Sequence, residues 1–427
     1  MSRTPATTNK APSPTRPSAP VLDLHGVGIE IWHPWYGPES GLIDSQIAEF
    51  NRDNEWGITV RGQGHTSFTE MWDHVNDSLQ AGAGPQLAIA LPEHAVAWDA
   101  ANHVVDLTPY INDLSYGLSQ DGISDFPGAF WEQDLAGDRQ LALPAERSAT
   151  FLTYNETWAR KLGFSKPPVT AQQFRDQACA AHAALGQDSD PSNDGRGGWL
   201  IRTDGATFLS WLTAFGGGVL DGTGYRFLTP RNLEATVFLK QLYDDGCAWL
   251  APADEDQASR FAAREALFGT AALEDLTGVG RAMAGAENAD EWTVLPFPGA
   301  DRAVLQVYGA SFVVLKSTPQ QQLASWLFLR WMLAPEQQGK WVEVTGLFPI
   351  RTSMQSTLAG YTRSHPQWAA AVSLLGFAQG YPQLASWRQV RVIMADGFDA
   401  MYRANTPAGR VAEILAIMDR TARDVSP

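Results

Sequence analysis

The sequence predicts an α/β protein whose front part is a doubly wound, mostly parallel sheet. Short apolar runs typical of buried strands alternate with segments in which apolar residues recur at helical spacing. Strands and helices that alternate in this way form parallel sheets, because each helix crosses over to the next strand. With 427 residues, of which 44% are hydrophobic, the chain is long enough for two or three domains.

Three strands and three helices alternate at the front of the chain. The first predicted helix starts near Ser40 as a possible cap, and the second starts at a capping box of Ser67 and Glu70. A third helix is expected from His94 to Asn102. The strands are predicted from the apolar runs VGIEIW (27–32), GITVRG (57–62) and PQLAIALP (85–92).

The rest of the chain repeats this alternation with longer helices. An extended segment at 139–158 precedes a helix capped by Thr170. Later, AVLQVYGASFVVLK (303–316) predicts two strands around a Gly-Ala-Ser kink. Two helices follow it, and the end from Tyr361 to Val425 is predicted to be helical.

The net charge and the composition of the N-terminal segment limit which partners the chain can have. The formal net charge of −16 argues against nucleic acid or anionic lipid as the main partner. No apolar run is long enough to span a bilayer, and no signal peptide is visible. Residues 1–24 are rich in Pro, Ser and Thr and predict a flexible tether. We expect it to lead to a membrane anchor that this sequence lacks.

Two cysteines, Cys179 and Cys247, are too few for a disulfide framework or a four-cysteine zinc site. Their sequence contexts favour two separate buried thiols, with one disulfide as the alternative.

The segment IWHPWYGPES (31–40) is the clearest candidate for a binding site. It lies between the first strand and the first helix, at the carboxyl edge of the sheet, where α/β proteins bind ligands. The alternative is that one of its tryptophans packs under the loop. Its candidate ligand-binding residues are Trp32, His33, Trp35, Tyr36 and Glu39.

Catalytic signatures are missing from the sequence. It contains no nucleophile elbow, no H-E-x-x-H, no phosphate-binding loop and no dinucleotide fingerprint. The eight histidines are scattered, so we expect neither a metal nor a cofactor. Glycoside hydrolysis by two carboxylates stays open as an alternative, because the fold could bring two carboxylates together. The candidates are Glu39, Glu93, Glu146 and Asp275.

The aromatic content favours a sugar ligand. Sixteen tryptophans are present, and helix periodicity explains Trp72, Trp326 and Trp331 as core residues. Trp32 and Tyr308 stand at the ends of elements instead. Rings stack on the apolar faces of sugars, while carboxylates and Arg bind the hydroxyl groups.

The order of several segments resembles the extracellular solute-binding proteins of the maltose-binding and glycerol-phosphate-binding type. IWHPWYGPE resembles their FWH…GE start, and TFLTYNETW resembles their LYYN crossing strand. PPVTAQQF resembles a helix start of the family. The stretch from LASWLFLRWML through PEQQ to TGLFPIRTS resembles its long helix, PE-x-Q helix and TG-x-x-P return, and RVIMADGF resembles a late helix. Together these motifs cover about residues 29 to 400.

The resemblance implies a two-lobe periplasmic-binding-protein fold of type II. Each lobe has a mostly parallel sheet with flanking helices, and hinge strands let the lobes close on a ligand. It implies an extracytoplasmic monomer that delivers its ligand to the membrane permease subunits of an ABC importer. We place the first lobe at 25–145 plus 303–346 and the second at 151–296 plus 347–427.

The matched motifs place Trp32, His33, Glu39, Gly309, Ser311 and Arg391 where the family lines its cleft. Leu347 and Phe68 stand where the glycerol-phosphate binders have tyrosines, and their paired tryptophans are replaced around 202–206. These departures argue against a simple glycerol phosphate. The predicted ligand-binding set is completed by Phe68, Glu93, Arg147, Trp211, Asp275, Tyr308 and Phe348.

We therefore expect a non-catalytic binding protein for a mono- or oligosaccharide or a polyol-like solute. The first alternative keeps the fold and changes the ligand to glycerol 3-phosphate or a glycerophosphodiester. The second, less favoured alternative is a carbohydrate-active hydrolase.

Overall fold

The structure is a computed structural model that describes residues 22–222, 224–252, 256–299, 303–403 and 406–425. All but the last three residues of the predicted tether at 1–24 lie outside these ranges. The strands are β1 (Gly28–His33), β2 (Thr59–Gly64), β3 (Leu87–Ala90), β4 (Leu135–Ala136), β5 (Arg139–Gln140), β6 (Leu143–Pro144), β7 (Ser148–Asn155), β8 (Gly197–Leu200), β9 (Leu220–Asp221), β10 (Gly224–Tyr225), β11 (Ala248–Trp249), β12 (Ala266–Ala272), β13 (Trp292–Leu295), β14 (Leu305–Tyr308), β15 (Ser311–Val314) and β16 (Ala378–Gly380).

The helices follow the predicted order. They are α1 (Pro38–Asp53), α2 (Phe68–Gln80), α3 (Pro92–Ala100), α4 (Thr108–Ile111), α5 (Gln120–Ser124), α6 (Gly128–Trp131), α7 (Glu156–Lys161), α8 (Ala171–Leu185), α9 (Gly205–Ala214), α10 (Pro230–Asp244), α11 (Gln257–Ala262), α12 (Leu276–Gly285), α13 (Pro319–Met332), α14 (Pro335–Thr345), α15 (Ala359–Ser364), α16 (Pro366–Ser373), α17 (Trp387–Met401) and α18 (Val411–Val425). Single 3-10 turns lie at Glu132–Asp134, Leu273–Asp275, Thr352–Gln355, Leu374–Phe377 and Ala408–Arg410.

Helix starts agree with the sequence where a side-chain cap was predicted, except at α1. Thr170 and Gln173 form the capping box of α8, and Ser67 accepts from the backbone N–H of Glu70 at α2. The prediction of a Ser40 cap was wrong. The cap of α1 is Gly37, and Pro38 starts the helix because its fixed φ suits the first helical position.

The first sheet has the strand order β2-β1-β3-β15-β6. β1 pairs in parallel with β2 and β3, whereas β15 returns antiparallel to β3 and β6. Two buried apolar clusters cover its faces, one against α1 and α13 and the other around α2 and α3. We call this sheet and its helices the first lobe.

The second sheet has the order β11-β8-β12-β7-β14-β16, with β13 also paired to β7. It is mixed rather than mostly parallel, because β7 runs antiparallel to β12, β13 and β14. Helices α8, α9, α10, α17 and α18 pack into its largest apolar cluster. We call this sheet and its helices the second lobe.

The predicted lobe boundaries remain predictions, but the sheets show where individual strands belong. The two strands predicted around the kink at 309–311 lie in different sheets. β14 pairs with β7 and β16 of the second lobe, and β15 pairs with β3 and β6 of the first. The chain therefore crosses between the lobes within a few residues of this kink.

Cys179 and Cys247 form a disulfide, so the favoured prediction of two separate thiols was wrong. Cys179 lies on α8 and Cys247 just before β11, and the packing of α8 against β8 and β11 brings them together. Their separation of 68 residues concealed this contact in the sequence.

In the described part of the chain, no helix combines the length and the apolar character that a membrane span requires.

Candidate functional site

Two crossing segments run side by side between the lobes and define a hinge. Residues 145–147 join β6 to β7, and residues 309–310 join β14 to β15. The backbone N–H groups of Ala145 and Glu146 both donate to the carbonyl of Ala310, at 3.0 and 3.1 Å. Gly309 has a φ of 151°, and a Cβ there would lie 2.2 Å from the Glu146 carbonyl oxygen, so only glycine permits this close approach.

A buried ion pair fixes the hinge from behind. Arg147 is 0% exposed, and its guanidinium donates to Asp134 Oδ2 at 2.8 Å and to the Ala310 carbonyl at 2.6 Å. Ser311 donates to Asp134 at 2.6 Å and accepts from Arg147 at 3.0 Å. These contacts use Arg147 and Ser311 to hold the crossing segments, and so the structure does not support their predicted role as ligand contacts.

The tryptophans of the 31–40 loop occupy different positions. Trp35 is 8% exposed and packs on Trp341 with ring centroids 4.3 Å apart, while its indole N–H donates to Glu146 Oε2 at 3.0 Å. This is the packing alternative that the sequence left open. Trp32 keeps part of its ring exposed and lies 5.1 Å from the ring of His65.

Glu146 lies close enough to two other carboxylates, Glu274 and Glu39, for their charges to act on it. Burial raises the pKa of Glu146 to about 7, and the charges of Glu274 and Glu39 contribute to this rise. Glu274 accepts a short hydrogen bond from the hydroxyl of Ser148, and burial raises the pKa of its carboxyl too. The hydrogen-bond donors of Glu146 and Glu274 named here, Trp35 and Ser148, are both neutral.

Two tyrosine rings of the second lobe lie near Glu274. Tyr308 and Tyr381 are stacked, with centroids 5.2 Å apart and an interplanar angle of 25°, and both are partly exposed. Burial and the nearby charge of Glu274 raise the pKa of Tyr308, so its hydroxyl stays protonated at neutral pH. Such a pair offers a flat apolar surface together with polar hydroxyl groups.

Arg202, a cation near Glu274 and Tyr308, is already paired with two carboxylates. Arg202 contacts Asp204 Oδ2 at 2.7 Å and Asp275 Oδ2 at 2.8 Å. Asp275 follows β12 in the same 3-10 turn as Glu274. The predicted residue Asp275 therefore lies next to the carboxylates, as the partner of Arg202.

An ion pair joins the two lobes. Glu93, at the start of α3 in the first lobe, is 4% exposed, and its Oε1 lies 2.6 Å from Nη2 of Arg391 on α17 of the second lobe. Arg388 adds a contact of 3.4 Å to the hydroxyl of Thr69. Burial raises the pKa of Glu93, although Arg391 opposes the rise. The lobes are therefore in contact across this part of the cleft.

The remaining predicted ligand residues are mostly packed into the two lobes. Trp211 and Phe348 are fully buried in two apolar clusters of the second lobe, so their packing does not support ligand contact. His33 is buried, and burial lowers its pKa to about 4. Phe68 packs between the two apolar clusters of the first lobe, and Tyr36 is 75% exposed.

The structure adds residues that the predicted ligand set lacked. Ser148 begins the crossing strand β7, Glu274 follows the buried strand β12, and Tyr381 follows β16. A position near the end of a buried strand was the available signal for Glu274, as it was for Trp32. No such signal pointed to Tyr381, since β16 lies in a segment that was predicted to be helical.

The family model described as "Bacterial extracellular solute-binding protein" matches residues 45–374. A comparison with curated protein sequences gave no significant match.

Solved structures share the fold at low sequence identity. The chain is similar to the cyclic alpha-maltosyl-1,6-maltose binding protein of Arthrobacter globiformis, with a TM-score of 0.75, 18% identity, and coverage of 93% of this chain and 98% of that one. It is also similar to the sugar-binding protein MalE of Xanthomonas citri, with a TM-score of 0.79, 17% identity, and coverage of 93% and 97%. A third similar structure is UgpB of Mycobacterium tuberculosis in complex with glycerophosphocholine, with a TM-score of 0.72, 17% identity, and coverage of 93% and 98%.

Proposed function

The chain belongs to the bacterial extracellular solute-binding proteins, and we propose that it binds a neutral carbohydrate or polyol-like solute in the cleft between its lobes. Members of this family bind solutes for ABC importers, work with membrane permeases and are not enzymes. The chain therefore acts outside the cytoplasm, and the hydrolase alternative falls away. In this proposal residues 1–24 tether the folded part to the membrane surface.

One observation carries the choice of ligand: the cleft groups near the hinge are carboxylates and tyrosine rings. Glu146 and Glu274 are hydrogen-bonded by Trp35 and Ser148, which are neutral donors. Carboxylates accept hydrogen bonds from sugar hydroxyls, and an anionic ligand would be repelled. The Tyr308–Tyr381 pair supplies a surface on which a sugar ring stacks.

In this proposal seven of the predicted ligand-binding residues have a physical task. Trp32 and Tyr308 contact the apolar ligand face, and the backbone at Gly309 lies beside the carboxylates. Glu39 and Asp275 add acceptors at the rim. The remaining two residues, Glu93 and Arg391, bring the lobes together when the cleft closes.

A thermal-shift panel tests the ligand class, followed by calorimetry on the best ligand. The panel contains neutral monosaccharides, oligosaccharides and polyols, with glycerol 3-phosphate and glycerophosphodiesters as the competing class. We expect stabilisation by a neutral member, because a ligand that binds only the folded protein raises its stability. Stabilisation by the phosphate esters alone would contradict the proposal.

Calorimetry of the best ligand then tests the carboxylates. Glu274→Gln is expected to weaken binding about ten- to a hundredfold, the usual loss for a charged hydrogen bond. Glu413→Gln is the matched control, because Glu413 is an exposed carboxylate on α18 that pairs with Arg410. Equal affinities for the two variants would remove Glu274 from the site.

The glycerophosphodiester alternative rests on Arg391, which is the cation that reaches across the cleft to Glu93. A phosphate group that displaced Glu93 would accept hydrogen bonds from the guanidinium of Arg391. In that case Arg391→Ala would abolish the thermal shift caused by the phosphate ester. Arg403→Ala, which removes an exposed cation just beyond the end of this helix, would leave it unchanged.

A further inference from the structure

Two histidines and a glutamate form a cluster at the start of α2. His65 lies in the loop after β2, while Glu70 and His74 are four residues apart on α2 and so share one helix face. One donor atom from each of the three side chains lies within 4.8 Å of the other two. The cluster shares no residue with the proposed solute site.

The spacing of the two imidazoles suits a shared metal ion. Nδ1 of His65 lies 3.2 Å from Nδ1 of His74. A tetrahedral ion bound to two imidazoles at about 2.0–2.1 Å sets their nitrogens roughly 3.3 Å apart. The two nitrogens therefore already have nearly the separation that one ion requires.

Neighbouring groups hold the ligands in place. Glu70 Oε2 accepts from the backbone N–H and the hydroxyl of Thr66, both at 2.5 Å, and its carboxylate keeps lone pairs for a cation. The ring of Trp32 packs against His65 at 5.1 Å. Such contacts orient metal ligands and increase affinity.

Burial differs across the cluster in a way that suits a metal site. His65 is buried and Glu70 is partly buried, whereas His74 is exposed and gives an ion access from solvent. Two imidazoles and one carboxylate are ligands typical of zinc and similar ions.

We propose that His65, Glu70 and His74 bind one divalent transition-metal ion of the zinc type, with water completing a four-coordinate site. The sequence did not reveal this site because His65 joins the pair on α2 only through the turn after β2.

Isothermal calorimetry of the full chain with Zn²⁺ tests the site, and visible spectroscopy with Co²⁺ reports its geometry. We expect one equivalent of Zn²⁺ to bind and Co²⁺ to give the intense absorption of a tetrahedral complex. His74→Gln and Glu70→Gln should each lower Zn²⁺ affinity more than about tenfold. Even the loss of a residue that only supports a metal ligand can lower affinity by this factor. Glu70→Gln keeps an acceptor for Thr66, so this variant is expected to fold.

His25→Gln is the control, because His25 is an exposed histidine of the same lobe outside the cluster. This variant should bind Zn²⁺ as the unaltered chain does. The proposal would be overturned if the unaltered chain bound no Zn²⁺, or if His74→Gln and Glu70→Gln bound it as tightly as His25→Gln.

Discussion

Glu146 shows how one residue can connect the hinge to the proposed site. Its backbone N–H bonds to Ala310 in the other crossing segment, and its carboxylate accepts from Trp35 while facing Glu274. Burial and like charges raise the pKa of Glu146 from 4.5 to about 7. The carboxyl therefore changes its charge near neutral pH at the point where the lobes are joined.

Replacing Glu146 by Gln should change how stability depends on pH. Between pH 4.5 and about 7 the folded chain keeps a proton on Glu146 that the unfolded chain has released, so its contribution to stability falls as pH rises. Glu146→Gln stays neutral, and we expect it to exceed the unaltered chain in unfolding free energy by up to about 3 kcal/mol at about pH 8. The difference should largely disappear at about pH 5.

Urea unfolding at the two pH values measures this difference. Glu291→Gln is the control, because Glu291 is an exposed carboxylate paired with Arg160. A pH-independent difference between Glu146→Gln and the unaltered chain would show that Glu146 titrates in its ordinary range.

Tyr381 tests the stacking surface. Tyr381→Ala removes one ring of the pair with Tyr308 and is expected to weaken binding of the neutral ligand about tenfold, because a stacked ring contributes about 0.5–1.5 kcal/mol beyond its buried area. Tyr381→Phe keeps the ring and should keep most of the affinity. Calorimetry that finds Tyr381→Ala and the unaltered chain equal in affinity would exclude ligand stacking on this ring.

At the scale of elements, β14 and β15 explain why the hinge is narrow. They are separated by two residues, yet they belong to different sheets. Gly309 allows the turn between them to approach Glu146, and Arg147 holds the adjoining carbonyls from the buried side. The chain thus passes from one sheet to the other within two residues here.

The disulfide should stabilise the second lobe. Cys179–Cys247 closes a loop of 68 residues, and such a link stabilises a fold by about 2–4 kcal/mol. We expect reduction to lower the melting temperature measured by calorimetry. Replacing both cysteines by Ala should lower it to a similar extent and make it insensitive to reductant. If reduction left the melting temperature of the unaltered chain unchanged, the link would have no such role.

Elements with strong local signals were predictable from the sequence, whereas contacts that depend on the tertiary structure were not. The capping box at Thr170 fixed the start of α8, and apolar runs located β1 and β3. β16 was missed because its three residues, Ala-Gln-Gly, have little strand preference and are held by pairing with β14.

Site residues could be predicted from the sequence where they stand at the ends of strands. Trp32 stands near the end of β1, whereas Trp211 lies on a helix. Its helix α9 carries buried residues on most of its surface, so periodicity could not separate core from cleft. The role of Arg147 could not be predicted either. Its charge suggested a ligand contact, and its partner Asp134 is brought next to it only by the fold.

On the scale of the whole molecule, the Glu93–Arg391 pair should influence closure. Removing Arg391 leaves a buried carboxylate without this partner, and hydrating it favours separation of the lobes. We expect Arg391→Ala without ligand to have a larger radius of gyration by small-angle X-ray scattering. Arg403→Ala, just beyond the end of α17, should match the unaltered chain. Equal radii for the two variants would show that the pair does not hold the lobes together.

The account depends most on where the solute binds. A crystal structure with the neutral ligand that ranks highest in the thermal-shift panel tests this directly. We expect the ligand between the lobes, with a ring face on Tyr381 and hydroxyl groups bound to Glu274 and Glu146. A ligand bound elsewhere on the surface, with this cleft filled only by solvent, would contradict the account.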